Sequence, residues 1–324
     1  MFKEDDRTNY IGGSDVGAIL GFNPYRTPLD VYMEKVGEKK PSEENTFTYW
    51  GKTLERPIIA EFEYLTNLKV EEMPIKYHPD YSFIAGHIDG FIPEKNAILE
   101  IKTVGQNARF KWGDENHDLG ELKCEHSRDI SSGLKGSKGC IPESYLCQCV
   151  LYASIYNVDK VYIAVYFGND LPLKIYIYER NHDLEQATLQ ALNTFWTAHV
   201  LEEIPPDPST IEDLMKSFPN AEESTSIIAT NEISDIHEKL QSLRDQKEEI
   251  EKEEEDLKKK LMTFMGEAES LVDITGNSLC TWKNISTNRF NGKAFKKDHP
   301  DLHSKYLAKS SSRRFLFKKV GDES

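Results

Sequence analysis

The stretch from Gly86 to Lys102, GHIDGFIPEKNAILEIK, constrains the fold of this chain more than any other. Two short apolar runs flank Pro93-Glu94-Lys95-Asn96, the composition of two antiparallel strands joined by a tight connection. If Ile92 and Ala97 close the loop, Asp89 stands directly opposite Glu100. Glu100 and Lys102 lie two residues apart and so share one face of the second strand. Like charges opposed across a sheet are destabilising. A divalent cation between the two carboxylates removes that penalty, and the neighbouring lysine can neutralise or orient whatever reacts there.

At 324 residues the chain can form one large domain with accessories, or two domains. It has no apolar run able to span a bilayer and no signal-peptide pattern, so no membrane partner is expected and the expected location is the cytoplasm. Five irregularly spaced cysteines make no disulfide framework and suit a reducing compartment. The net charge of -15 argues against nucleic acid only superficially. From Lys283 to Lys319 eleven Lys and Arg face two Asp, a balance of +9 that leaves -24 for the remainder. Acidic groups that gather a cation and a separate basic segment are compatible with DNA binding.

Near the start, Arg7 precedes Ile11-Gly12-Gly13-Ser14-Asp15-Val16-Gly17-Ala18-Ile19-Leu20-Gly21. The paired glycines permit a tight turn, and Ser14 suits the N-cap of a short helix ending at Gly21. Backbone N–H groups at such a start, with Arg7 beside them, also favour a phosphate oxygen. Thr27-Pro28 opens a second helix with Leu29, Tyr32, Met33 and Val36 on its apolar side. A longer helix follows Gly51, sending Leu54, Ile58, Phe62 and Leu65 toward the core. Glu55 lies on it just before Pro57, which is expected to bend or restart it. In the hairpin, His87 shares the face of Asp89 and is a minor ligand candidate.

The segment from Lys102 to Ile141 is loop-rich. Cys124, Cys140, Cys147 and Cys149 fall in or just after it at spacings that match no standard zinc or iron–sulfur pattern. Pro142 opens a helix through about Asn157, with Tyr145, Gln148 and Tyr152 on one side and Leu146, Val150, Leu151 and Ile155 as its apolar contacts. Alternating strands at Val161–Phe167 and Leu173–Tyr178 and a helix from about Asp183 to Glu202 complete an α/β (α+β) unit around one mixed sheet. Pro205-Pro206-Asp207-Pro208 then marks a break. The expected division is a domain over 1–204, a linker over 205–230, a heptad-patterned helix over 231–266 and a small basic segment over 267–324. The heptad run is Ile236, Leu240, Leu243, Ile250, Leu257, Leu261 and Phe264, with Lys247 and Glu254 in the same register. It suits a helical hairpin, a self-associating coiled coil or a charged helix lying on the domain. A small hairpin over 271–274 and 279–282 follows. The basic end, with Arg289-Phe290 and Arg313-Arg314-Phe315-Leu316-Phe317-Lys318-Lys319, mixes cations with aromatics, as phosphate contacts with base stacking require; a solvated basic face has the same composition.

Taken together, Arg7 with Ile11-Gly12-Gly13-Ser14-Asp15, Gly51-x-x-x-Glu55, Asp89-Gly90, Glu100-Ile101-Lys102 and Tyr145-x-x-Gln148 resemble, in order, the motifs of the phage lambda exonuclease group, in particular its YqaJ-type viral recombinase branch. The resemblance spans roughly residues 7 to 202 and implies a restriction-endonuclease-like core, a mixed central sheet flanked by helices. It implies that Asp89 and Glu100, with the backbone carbonyl of Ile101, hold metal, and that Glu55 contacts a metal or its water. It further implies that Lys102 orients or activates the attacking water, that Gln148 and Tyr145 lie beside the scissile phosphate, and that Arg7 and Ser14 hold the terminal 5′-phosphate. Gln148-Cys149-Val150 departs from the family's Gln-x-Gln, so no second glutamine acts here. The cofactor expected is Mg2+ or Mn2+, two ions per site, since hard cations take oxygen ligands. The partners implied are double-stranded DNA ends, a single-strand-annealing protein and further copies in a ring-shaped homotrimer, in a bacterial cytoplasm reached through phage or prophage. The expected action is 5′→3′ digestion of one strand of linear duplex. Rival readings are an endonuclease or a Cas4-like nuclease on the same core, and a non-catalytic DNA-binding recombination scaffold.

Overall fold

The computed structural model describes residues 7–39, 45–112, 122–123, 141–168, 172–222, 224–308 and 312–318. These fall into two units, Met1–Ser217 and Phe218–Ser324. The first opens with helices α1 (Gly13–Ile19), α2 (Pro28–Lys35) and α3 (Thr46–Thr66). A short ladder, β1 (Lys76–Tyr77) with β2 (Ala85–Gly86), leads into β3 (Gly90–Ile92) and β4 (Ala97–Thr103). β5 (Leu122–Lys123) precedes α4 (Glu143–Tyr156), β6 (Lys160–Tyr166), β7 (Lys174–Glu179) and α5 (His182–Phe195).

The main sheet has the order β3-β4-β6-β7-β5. β3–β4 and β6–β7 are antiparallel, whereas β4–β6 and β5–β7 are parallel. A parallel β4–β6 pair needs a crossover, and α4 supplies it. The expected mixed sheet flanked by helices is therefore what the chain forms. Its two faces follow from the alternation of β4. Ile98 packs toward α4 with Leu146, Val150 and Ile155, while Leu99 and Ile101 pack toward Ile58 and Phe62 of α3. Each such fully buried aliphatic side chain contributes roughly 1.5–3 kcal/mol.

Several local expectations change. α3 begins at Thr46, five residues before Gly51, because the Asn45 side chain accepts the N–H groups of Phe47 and Thr48. It runs through Pro57 without interruption. Leu65 is 40% exposed, and Leu68 and Val70 beyond the helix take the apolar place expected for it. The N-cap of α1 is Gly12, not Ser14: the Asp15 carboxylate accepts the Gly12 N–H at 3.0 Å, which leaves the Ser14 hydroxyl exposed for another partner. After Phe195, the helical path continues as a π turn over Trp196–Val200.

The first unit also reaches past residue 204. α6 (Ile211–Ser217) is tied to α2, since Thr27 donates to the fully buried Asp213 at 2.9 Å and Lys216 meets Asp30 at 3.0 Å. Polar groups this well paired anchor a segment that composition alone marks as linker.

The second unit is built on α7 (Asn231–Met265), a single continuous helix of 35 residues capped by Thr230. β8 (Ser270–Val272) and β9 (Ser278–Thr281) form the small hairpin expected there, and α8 (Gly292–Asp298) and α9 (Pro300–Lys305) carry part of the basic segment. Lys309 and Lys319 lie outside the described residues, as do Cys124, Cys140 and most of the loop-rich segment after Trp112.

Candidate active site

The hairpin closes in the register expected, with Ile92 opposite Ala97 and Gly90 opposite Leu99. Asn96 makes the tight connection possible by adopting a left-handed conformation, φ 45°. Asp89, one step beyond the pairing, leans onto β4 and accepts the main-chain N–H of Ile101 at 2.7 Å. Glu100 is a buried acid, its side chain 3% exposed. Its Oε1 receives Lys102 Nζ and, at 2.8 Å, Gln148 Nε2. Its Oε2 is buried with no hydrogen-bond partner among the described residues. A buried carboxylate oxygen left unbonded is costly, and a cation is one way to satisfy it.

α4 supplies the other wall. Gln148 bridges the acid and the base, since its Oε1 accepts from Lys102 at 3.2 Å while its Nε2 also reaches the Tyr152 hydroxyl at 3.1 Å. Tyr145 lies one turn earlier and places its ring 5.0 Å from Lys102 Nζ. That ring is stacked in turn on the buried Trp112, 5.5 Å between centroids at 24°. Two stacked rings, Trp112 and Tyr145, thus back the Lys102 ammonium. Sequence reading missed Trp112, which no local pattern distinguishes from a core residue.

Electrostatics here are dominated by burial. It pushes Glu100 up to about 8, with Asp89 adding to the shift and Lys102 opposing it. Burial raises Asp89 as well, against the pull of Lys102 and the Ile101 hydrogen bond. For Lys102 burial acts downward, yet Glu100 and Asp89 outweigh it and the ammonium holds its proton more tightly than a free lysine. Glu55 feels the same field. Burial and then Asp89 raise it, with the exposed His87, Lys52 and Lys102 opposing. No three His, Cys, Asp or Glu side chains among the described residues converge into a ready-made metal set. The four-part ligand set expected from sequence is thus present as an opposed pair, Asp89 and Glu100, with Glu55 within its field but not gathered to it.

Arg7 and Ser14 are brought together on the surface, Nη2 to Oγ 2.7 Å. Beneath them Lys35, buried in α2, donates to the Arg7 carbonyl and to Asp15, both at 2.7 Å. Asp15 also takes Arg26 at 2.6 Å. Burial alone would raise the Asp15 carboxyl, but Lys35 and Arg26 outweigh it and hold it at about 2. Gly13 connects this patch to the hairpin. A Cβ there would meet the Tyr152 ring at 2.7 Å and Gln148 Cγ at 2.8 Å, so only glycine lets α1 approach α4 so closely. The Gly13-x-x-x-Gly17 spacing was the signal available for that contact. Cys147 and Cys149 are buried in α4; burial pushes the Cys147 thiol up to about 12 and Cys149 well above its usual range.

An opposed carboxylate pair, a protonated lysine and a bridging glutamine on a mixed sheet define a site built to meet an anion through cations. Residues 4–159, which include every residue of that site, match the YqaJ-like viral recombinase domain. It is similar to the uncharacterized protein YqaJ of Bacillus subtilis, 29% identical over 97% of this chain and 93% of that protein. Protein D345L of African swine fever virus is 28% identical over 44% of this chain, which spans 41% of that protein. Among solved structures, an alkaline exonuclease from Laribacter hongkongensis is 17% identical, covering 65% of this chain and 94% of that one with a TM-score of 0.43. A phage-related exonuclease from Haemophilus somnus is 14% identical over 60% and 96%, with a TM-score of 0.40. No helix among the described residues is long and apolar enough to cross a membrane.

Proposed function

We propose that the first unit is a divalent-cation-dependent deoxyribonuclease that digests one strand of linear double-stranded DNA from its 5′ end. The observation that carries this reading is the opposition of Asp89 and Glu100 with Glu100 Oε2 buried and unbonded. An all-oxygen donor set suits Mg2+ or Mn2+, and Mg2+ commonly takes one or two carboxylates and completes its shell with water and substrate phosphate. Asp89, Glu100 and the Ile101 carbonyl would hold one ion, and Glu55 would reach a second ion or its water. Bound there, such ions supply the positive charge that a transition state at phosphorus requires.

The chain's own residues do the rest. Lys102, paired with Glu100 and held by Gln148, would orient or activate the attacking water. Gln148 holds Lys102 and Glu100 at a fixed separation, and Tyr145 limits where the ammonium can move. Arg7 and Ser14 lie exposed beside Gly13, the residue of α1 that meets Gln148 and Tyr152, and would grip a terminal phosphate there. The match of residues 4–159 to the YqaJ-like viral recombinase domain further supports a 3′ single strand handed to an annealing protein, and a ring of three copies, as parts of the same proposal.

The test compares Mg2+-dependent digestion of linear duplexes carrying 5′-phosphate or 5′-hydroxyl ends with that of closed circular duplex. Preference for the phosphate end and inertness toward the circle are expected. Equal cutting of the circle would replace the exonuclease with an endonuclease on the same site.

A further inference from the structure

Helix α7 leaves an apolar seam, interrupted at Lys247 and Glu254, open to water. The seam runs from Ile233 to Phe264 at alternating three- and four-residue steps, and Ile236, Leu243, Ile250 and Leu257 are each more than half exposed. The chain's own C-terminal segment docks beside the seam rather than on it. Phe317 stacks on His237 at 4.5 Å between centroids and lies 4.4 Å under the Arg244 guanidinium, and both residues sit one position off the seam. His237 Nε2 further lies 3.0 Å from the Lys318 carbonyl. Ordinary globular helices do not keep so long an apolar stripe in water.

We propose that this seam is covered by α7 of a second copy of the chain, running antiparallel. Two charged seam positions decide the direction. Lys247 and Glu254 lie one heptad apart, so they occupy equivalent positions. A parallel, in-register pair would set Lys247 against the partner's Lys247 and Glu254 against the partner's Glu254, like charge on like within an apolar seam. An antiparallel pair centred on the middle of the helix removes both clashes. It sets Leu240 against the partner's Leu257, Ile236 against the partner's Leu261, Leu243 against the partner's Glu254 and Lys247 against the partner's Ile250. Lys247 then stands one layer from the partner's Glu254, within reach of its long side chain. In this register every seam position from Ile233 to Phe264 has a partner; sliding by a heptad leaves apolar layers at the ends uncovered. The charges cost some stability and in return specify direction and register.

The test uses the full chain under mild oxidation. An equimolar mixture of Leu240→Cys and Leu257→Cys proteins is expected to form a disulfide-linked dimer, while each alone gives no more cross-linking than the parent, which controls for the native cysteines. Self-cross-linking of either variant alone would indicate parallel pairing and overturn the proposal; so would absence of cross-linking in the mixture. A charge exchange reads the same contact through the cross-link between those two positions. Lys247→Glu is expected to weaken self-association about tenfold, and Lys247→Glu with Glu254→Lys to restore most of it. An unchanged yield of the Leu240–Leu257 position cross-link on adding Lys247→Glu would contradict the antiparallel seam. Association through the first unit changes the local concentration of α7 but not which of its positions face each other, so the cross-linking pattern decides, and the charge exchange is read as the yield of that cross-link.

Discussion

In the first unit Asp15, Lys35 and Glu100 are held out of water, each fixed by partners from elements distant in sequence. In the second, Lys247–Glu251 and Lys258–Glu254 are exposed pairs within one helix, and apolar residues rather than charges await a partner. The same residue types therefore do different work. Buried ions are strongly coupled to their surroundings and can perform chemistry; exposed ones are screened and chiefly select which surface pairs with which.

The comparison is tested most severely by breaking a buried pair. Lys35→Met leaves Asp15 buried with one cation fewer and releases the Arg7 carbonyl, so a loss of about 3–5 kcal/mol is expected in urea unfolding. A loss near zero would mean the pair is dispensable. Gly13→Ala drives a Cβ into Tyr152 and Gln148 and is expected to cost about 1–3 kcal/mol and to slow hydrolysis together. Slowed hydrolysis at full stability would show that the contact only positions Gln148.

Glu100→Gln sharpens the comparison through its sign. The folded carboxyl is raised to about 8, so its contribution is fully present below the unfolded value and is lost as pH rises through about 8. In EDTA at pH 8.5 the variant should therefore be the more stable protein, by about 1 kcal/mol or more, and should lose that advantage below about pH 4.5. A parent more stable than the variant at pH 8.5 without metal would contradict a strained Glu100. At the small end, Lys258→Ala should leave the melting temperature unchanged, because its partner Glu254 and the lysine itself are exposed.

Much of this site was legible in the sequence because a hairpin is a local object. Ile92 and Ala97 fix the loop, and the facing of Asp89 and Glu100 follows by counting. Gln148 and Tyr145 were legible for a similar reason, a helix having one period. What joins the pieces was not. Asp15 and Lys35 meet across two helices, and Trp112 reaches Tyr145 from the end of a 3-10 turn over Gln106–Lys111. Pro205-Pro206-Asp207-Pro208 reads as a boundary, yet Asp213 and Lys216 pair with Thr27 and Asp30 far upstream. The cap falls on Gly12 and not Ser14 because Asp15, three residues on, reaches back to the Gly12 N–H.

The hairpin as a cation-dependent phosphodiester-cleaving site is tested most directly by the rate at which Lys102→Ala digests 5′-phosphorylated linear duplex DNA in Mg2+, beside the parent at equal DNA occupancy. A loss of about a thousandfold or more with DNA affinity little changed is expected, as for removal of a group acting mainly on the transition state. Digestion by Lys102→Ala at the parent's rate would contradict it.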